Sequence, residues 1–259
     1  MITNDDIIKT LESLDSIFPE IEGYNWYLNI PNVIVNMTPD ATAFSNRISQ
    51  AALTDENADT TIKEVLKIFQ DAKKEFIWIV GPNSTPTTLG ERLLNHGCKN
   101  IINTFGMYIE SIPEETENNN LIRTVEHTDD NLEPLIKVME KGFAIPYENA
   151  KQYNEMLQRS QFHVRTRYYL SYVEANPAPV AVSYLTYVPN KKIVYLSGAA
   201  TIPEFRGRGI YKATLVKRLQ DAQKDGIYIG IVSADQTTSA PTCRKFGFTQ
   251  VCEFRVFSK

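Results

Sequence analysis

Pro203-Glu204-Phe205-Arg206-Gly207-Arg208-Gly209-Ile210-Tyr211 stands between a strand-like segment, Ile193 to Ile202, and a segment with helical spacing. In the latter, Tyr211, Leu215, Leu219 and Ala222 recur on one side, and the pattern stops near Asp225-Gly226. Two glycines and two arginines therefore fall where a strand turns into a helix. The first N–H groups of a helix lack internal acceptors and carry the positive end of its dipole. Glycine lets such groups approach a ligand without side-chain obstruction. A turn of this kind can hold phosphate, although the same residues also suit a charged connection between two elements. The Lys-Ser/Thr ending of a triphosphate loop is missing, as is the third glycine of a dinucleotide turn.

Beyond this helix, Ile227 to Val232 is a continuous apolar run, expected to be a strand buried on both faces. Ala240 to Phe246 reads as a short helix that stops at Gly247, with Phe248 returning to the core. In Val251 to Phe257, Cys252, Phe254 and Val256 alternate with Glu253 and Arg255, the pattern of a half-buried strand. Upstream, Asn131 to Gly142 and Ala150 to Ser160 read as helices. Tyr168 to Glu174, Val180 to Val188 and Ile193 to Ile202 read as three strands joined by short turns, which favours antiparallel neighbours.

The 259-residue chain has room for two domains. Ser111 to Asn120 combines Pro113, three glutamates and three asparagines, with little to pack. It suggests a linker at 113–121 between domains 1–112 and 122–259. In the first half, Thr61 to Lys74 is expected to be a helix, with Thr61 and Glu64 as a capping box. Glu75 to Val80 is expected to be a buried strand, Leu89 to Asn95 a short helix, and the region of Met107 to Ile109 a strand. The fold class is mixed α/β (α+β) with largely antiparallel sheets.

A net charge of −4 supplies no global basic field, so no nucleic-acid partner is expected. A phosphate-tracking face of Arg206, Arg208, Lys212, Lys217 and Arg218 is the one local arrangement that would contradict this. No apolar run reaches the roughly 18 residues of a membrane span. The N-terminus lacks the pattern of a signal peptide. Cys98, Cys243 and Cys252 have no metal-like spacing, and no metal is expected. These features together point to the cytoplasm.

The glycine turn and the Gly247-Phe248 helix end, in this order around a buried strand, resemble the GNAT superfamily of acetyl-CoA-dependent N-acyltransferases. Arg206, Gly209 and Tyr211 fall on the family's Arg/Gln-x-x-Gly-x-Gly/Ala positions, with Tyr211 in place of a small residue. Cys243 to Phe248 is similar to its Tyr-x-x-x-Gly-Phe ending, except at the first residue. This resemblance covers most of residues 122–259. Thr61 to Gly97 resembles the N-terminal half of tandem GNAT proteins, where a degenerate copy precedes the active one. That half has no Arg-x-x-Gly-x-Gly turn and is not expected to bind coenzyme A.

The resemblance implies acetyl-CoA as co-substrate. The backbone of Ala199, Ala200 and Thr201 would pair with the pantetheine arm. The N–H groups of Arg206, Gly207, Arg208, Gly209, Ile210 and Tyr211 would receive the pyrophosphate, with the arginine side chains adding contacts. A neutral amine of a small molecule or peptide would attack the thioester directly. The family's tyrosine acid is replaced at Cys243. No carboxylate stands on Tyr195 to Thr201, which leaves Ser197, through water, and Glu148 as candidates for handling the amine proton. His127 and His163 read as surface residues. A coenzyme-A-binding module without turnover is the alternative.

Overall fold

The structure is a computed structural model that describes residues 2–110, 121–174 and 176–259. The expected linker lies outside the described residues except for Leu121. In chain order the elements are α1 (Asn4–Ser13), β1 (Trp26–Leu28), β2 (Ile34–Met37), β3 (Arg47–Ser49), α2 (Ala58–Ala72), β4 (Ile77–Val80), α3 (Leu89–Asn95) and β5 (Lys99–Ile109). There follow β6 (Ile122–His127), α4 (Glu133–Phe143), α5 (Tyr147–Arg159), β7 (Thr166–Val173), β8 (Ala181–Tyr187) and β9 (Ile193–Thr201). The chain ends with α6 (Ile210–Lys224), β10 (Ile229–Asp235), α7 (Ser239–Phe246) and β11 (Thr249–Ser258).

Residue contacts divide the chain into two units that interleave in sequence. One comprises Met1–Met107, Ser233–Pro241 and Gln250–Lys259; the other comprises Tyr108–Val232 and Thr242–Thr249. The contiguous cut into 1–112 and 122–259 differs from this division. The reason is strand pairing: β11 lies antiparallel to β4, with Arg255 opposite Val80 and Phe257 opposite Trp78. Chain order alone does not reveal which neighbour a final strand chooses.

In the first unit the strands run β1-β2-β3-β4-β11-β5. The β3–β4 pair is parallel, and both β1–β2 and β2–β3 are antiparallel. Ile62, Val65 and Phe69 of α2 recur every three or four residues and are buried against Trp78, Val80 and Phe257 in one apolar cluster. The expected capping box at Thr61 and Glu64 is corrected: α2 begins a turn earlier, so both residues lie inside the helix. Thr3 and Asp6 form such a box at α1 instead.

In the second unit the strands run β10-β9-β8-β7-β6. β6 to β9 form an antiparallel meander, and β10 joins β9 in parallel, with Ile229 opposite Ile193 and Ile231 opposite Tyr195. Leu215, Leu219 and Ala222 of α6 are buried, as the apolar stripe requires. The buried face also takes in Thr214, Arg218 and Asp221. Of the five basic residues named above, Arg218 is fully buried and Lys217 Nζ lies 2.6 Å from Asp221 Oδ2, so these two are engaged within the protein.

Asp221 ties α6 to β7. Its carboxylate accepts from Tyr169 Oη at 3.1 Å, and Arg167 Nη2 stands 3.5 Å away; Lys224 Nζ approaches at 3.1 Å. Burial pushes its pKa up, but Lys217, Lys224 and Arg167 outweigh this and hold it below the usual carboxylate value. A depressed folded-state pKa adds stability above the unfolded value, about 3.9, that is lost as pH falls through the folded one. Asp221→Asn should therefore be less stable than wild type in urea at pH 7. That deficit should shrink steadily below about pH 4, where the wild-type carboxylate also becomes neutral.

Candidate functional site

The strand that enters the glycine turn is irregular. β8 and β9 pair Ala181 with Thr201 and Val182 with Ala200, but then Tyr184 with Ser197. β9 spends one residue more than β8 on this step, which makes a β-bulge. Gly198 sits in the bulge with a φ of 55°. A Cβ there would lie 2.8 Å from Cε2 of Tyr184 and closer still to Cδ2. Past the bulge, Ala200 lies against α4, where a Cβ on Gly142 would come 2.8 Å from its own Cβ.

The turn itself starts with a single 3-10 turn, Pro203–Phe205. Gly207 and Gly209 then adopt φ values of 75° and 82°. Gly209 caps α6, and its carbonyl accepts from Ala213 N at 3.1 Å. The N–H groups of Gly209, Ile210, Tyr211 and Lys212 are thus left without an intrahelical acceptor. Among the described residues, chain neighbours aside, no heavy atom lies within 4 Å of a Cβ built on Gly207 or Gly209, so the space over both is open. Ile210 anchors the helix start, packing with Val180 and Ala181 against Phe205.

The two arginines divide their work. Arg206 donates through Nε to Thr201 O at 3.1 Å and through Nη2 to Gly142 O at 2.8 Å. Its guanidinium therefore shapes the turn by tying it to β9 and to the end of α4. Arg208 donates to Glu204 O at 3.1 Å and lies 5.2 Å from the centre of the Phe205 ring. It remains at the exposed surface of the turn.

At α7, Gly247 (φ 108°) ends the helix, and Phe248 N donates back to Cys243 O at 3.0 Å. Cys243 is fully buried, and its Sγ lies 3.4 Å from Oη of Tyr211. Burial pushes the Cys243 thiol up against the opposing pull of Tyr211 and Arg218. Burial, then the neighbouring Cys243, pushes the Tyr211 phenol up as well. Both groups are protonated near neutral pH. The two departures from the family pattern, Tyr211 and Cys243, thus touch each other. Neither position alone predicts that contact, but their joint departure was its signal.

The remaining candidates are placed as follows. Ser197 is buried on β9 at the bulge. Glu148 is on the first turn of α5 with its side chain 77% exposed, 3.9 Å from Lys151 Nζ, and no described contact joins it to Ser197 or Cys243. His127 Nε2 bonds Asn131 O at 2.9 Å, and His163 is exposed. Among the described residues no cluster of His, Cys, Asp and Glu is arranged to hold a metal, and no helix is long and apolar enough to cross a membrane.

Comparison with protein families matches residues 132–248 to the acetyltransferase (GNAT) family. That span is similar to the GNAT acetyltransferases. The matched span holds the bulged strand, the glycine turn, α6 and the Gly247-Phe248 helix end. Comparison with curated proteins finds no match.

Among solved structures the likeness in fold extends over most or nearly all of the chain. A GCN5-related N-acetyltransferase from Kribbella flavida has a TM-score of 0.69 at 10% identity, with 98% of this chain and 95% of that one covered. One from Sphaerobacter thermophilus has a TM-score of 0.65 at 13% identity, covering 88% and 80%. A tandem GNAT protein from the clavulanic acid biosynthesis pathway has a TM-score of 0.59 at 10% identity, covering 88% and 78%.

Proposed function

We propose that the chain is an acetyl-CoA-dependent N-acetyltransferase with one coenzyme site, acting on a primary amine of a small molecule or peptide. The observation that carries this reading is the open cradle at Gly207 and Gly209, which caps α6 directly after the bulged strand. Of the expected N–H groups, that of Arg206 already donates to Pro203 O at 3.1 Å; those from Gly207 to Tyr211 receive the pyrophosphate, aided by the dipole of α6. The edge of Ala199 to Thr201 pairs with the pantetheine arm as an added strand would.

In the transfer, the neutral amine nitrogen attacks the thioester carbonyl carbon. A C–N bond forms, the C–S bond breaks, and coenzyme A leaves as a thiolate. The amine gives up its proton to solvent, reached through water at Ser197; Glu148, exposed on α5, is the alternative relay to bulk solvent. The thiolate takes its proton through the Tyr211–Cys243 pair, where Tyr211 is the better hydrogen-bond donor, and the pair regains a proton from the solvent that received the amine's. Tyr211→Phe should slow thiol release by about 10- to 100-fold while leaving acetyl-CoA affinity within a factor of two or so. Equal rates for the two proteins would remove Tyr211 from the chemistry.

The first unit supports a single site. The residues leading into α2 include Asp55 and Glu56, and Asp59 follows in its first turn. Thr54 N donates to Asn57 Oδ1 at 2.8 Å, and Thr54 together with backbone N–H holds the Glu56 carboxyl below its usual value. The positive end of that helix is thus taken up by the chain's own carboxylates, of which Asp55 and Asp59 pair with Arg92. We read this unit as the degenerate copy of a tandem pair.

Thermal melting with acetyl-CoA tests the site. Ligand at about 100 times its dissociation constant adds about 2.7 kcal/mol, which moves the melting point by several degrees. No shift at millimolar acetyl-CoA sinks the reading. A thiol-release assay over a panel of amines then separates an enzyme from a coenzyme-binding module, since a module shifts the melt but releases no thiol.

A further inference from the structure

Arg218 is a cation in the wrong place for an ordinary helix. It is fully buried, and no carboxylate pairs with it among the described residues. Burial pulls its guanidinium down to about 10, which leaves it charged at neutral pH. A buried, unpaired charge is costly unless its hydrogen bonds are well used. Its Nη1 donates to two carbonyls, Tyr184 O at 2.8 Å and Ser197 O at 3.3 Å. These residues face each other at the step where the β8–β9 register shifts. Its Nε and Nη2 are held on α6 by Thr214, through O at 3.1 Å and Oγ1 at 3.4 Å. Thr214 Oγ1 in turn donates to Tyr211 O at 2.8 Å, in the first turn of the helix.

One side chain thus joins the cradle helix to the bulge. Resting on the acetyl-CoA reading above, we propose that Arg218 is a positioning residue: by holding the carbonyls of Tyr184 and Ser197 it fixes the bulge, and so aims the backbone of Gly198 to Thr201 at the acyl-pantetheine arm. A bulge redirects the strand beyond it. A guanidinium fork is suited to fixing two carbonyls at once, and a lysine ammonium is a less directional substitute.

The proposal separates the arm of the ligand from its phosphates, and calorimetry with two ligands reads that separation. Acetyl-CoA engages both the turn and the strand, whereas adenosine 3′-phosphate 5′-diphosphate, its nucleotide end, engages the turn alone. Arg218→Met should lose at least tenfold in affinity for acetyl-CoA and less than twofold for the nucleotide, with Arg218→Lys intermediate. Thr214→Val, which loosens the guanidinium without removing it, should show the same split at smaller size. Equal losses on both ligands, or none on either, overturn the proposal. So does a guanidinium needed for folding alone, with neither Arg218 variant folding and Thr214→Val binding both ligands like wild type. Wild type binding neither ligand would instead overturn the acetyl-CoA site itself.

Discussion

Gly209→Glu is expected to abolish the response of the protein to acetyl-CoA while leaving the unliganded fold close to wild type. Gly209 caps α6 at a φ of 82°, so any side chain there pays about 1–2 kcal/mol of backbone strain. The Cβ meets nothing within 4 Å, so no packing is disturbed. A carboxylate at a helix N-terminus regains roughly 0.3–1 kcal/mol from the dipole. Its charge, however, stands where the pyrophosphate is to bind. At about 5 Å and an effective dielectric near 20, each pair of like charges costs on the order of 3 kcal/mol, over a hundredfold in affinity. Gly209→Ala carries the same strain without the charge and should keep most of the binding. If Gly209→Glu still shows the wild-type melting shift with acetyl-CoA, the phosphates bind elsewhere.

The glycine turn between strand and helix was legible in the sequence because its signal is local. Gly207 and Gly209 take the left-handed backbone that few other residues accept, and the strand and helix flanking them carry clean apolar patterns. The meander was equally clear from its short turns. The first 60 residues gave little, because β1, β2 and β3 have only three or four residues each, too few for an alternating pattern to register. The partner of β11 was hidden for a different reason: pairing depends on which edge is free, and that is not encoded in the strand's own residues.

Within the site, the missing information was polar. Arg218 enters the sequence reading only as part of a phosphate-tracking face, and Asp221 not at all, since the apolar stripe of the helix is Tyr211, Leu215, Leu219 and Ala222. In the structure Thr214, Arg218 and Asp221 widen that stripe and are buried through hydrogen bonds. Periodicity ranks residues by hydrophobicity, so it cannot detect a charge whose burial is compensated by carbonyls on another strand. The 3.4 Å contact of Tyr211 with Cys243 likewise joins positions separated by 32 residues. The same holds for Gly198, which reads as an ordinary glycine in a strand until its neighbour on β8 is known.

That glycine is where a single methyl group should cost most. Gly198→Ala is expected to destabilise the protein by about 3–4 kcal/mol, combining left-handed strain of 1–2 kcal/mol with overpacking of 1–3. The overpacking arises because Tyr184 cannot yield. Its ring is fully buried, its Oη donates to Asn154 Oδ1 at 2.8 Å, and Tyr153 and Tyr168 hold it edge-on at centroid distances of 5.7 and 5.8 Å. For a chain of this size the loss corresponds to roughly 6–15 °C in melting temperature. Gly207→Ala has a similar φ with nothing within 4 Å of the new methyl, and should show only the strain. The difference between the two variants isolates the Tyr184 contact. A double-mutant cycle with Tyr184→Ala completes the test, since removing the ring should return the second substitution to the cost seen at Gly207. Equal melting points for Gly198→Ala and Gly207→Ala would mean that Tyr184 moves freely and that the bulge is not held by its ring.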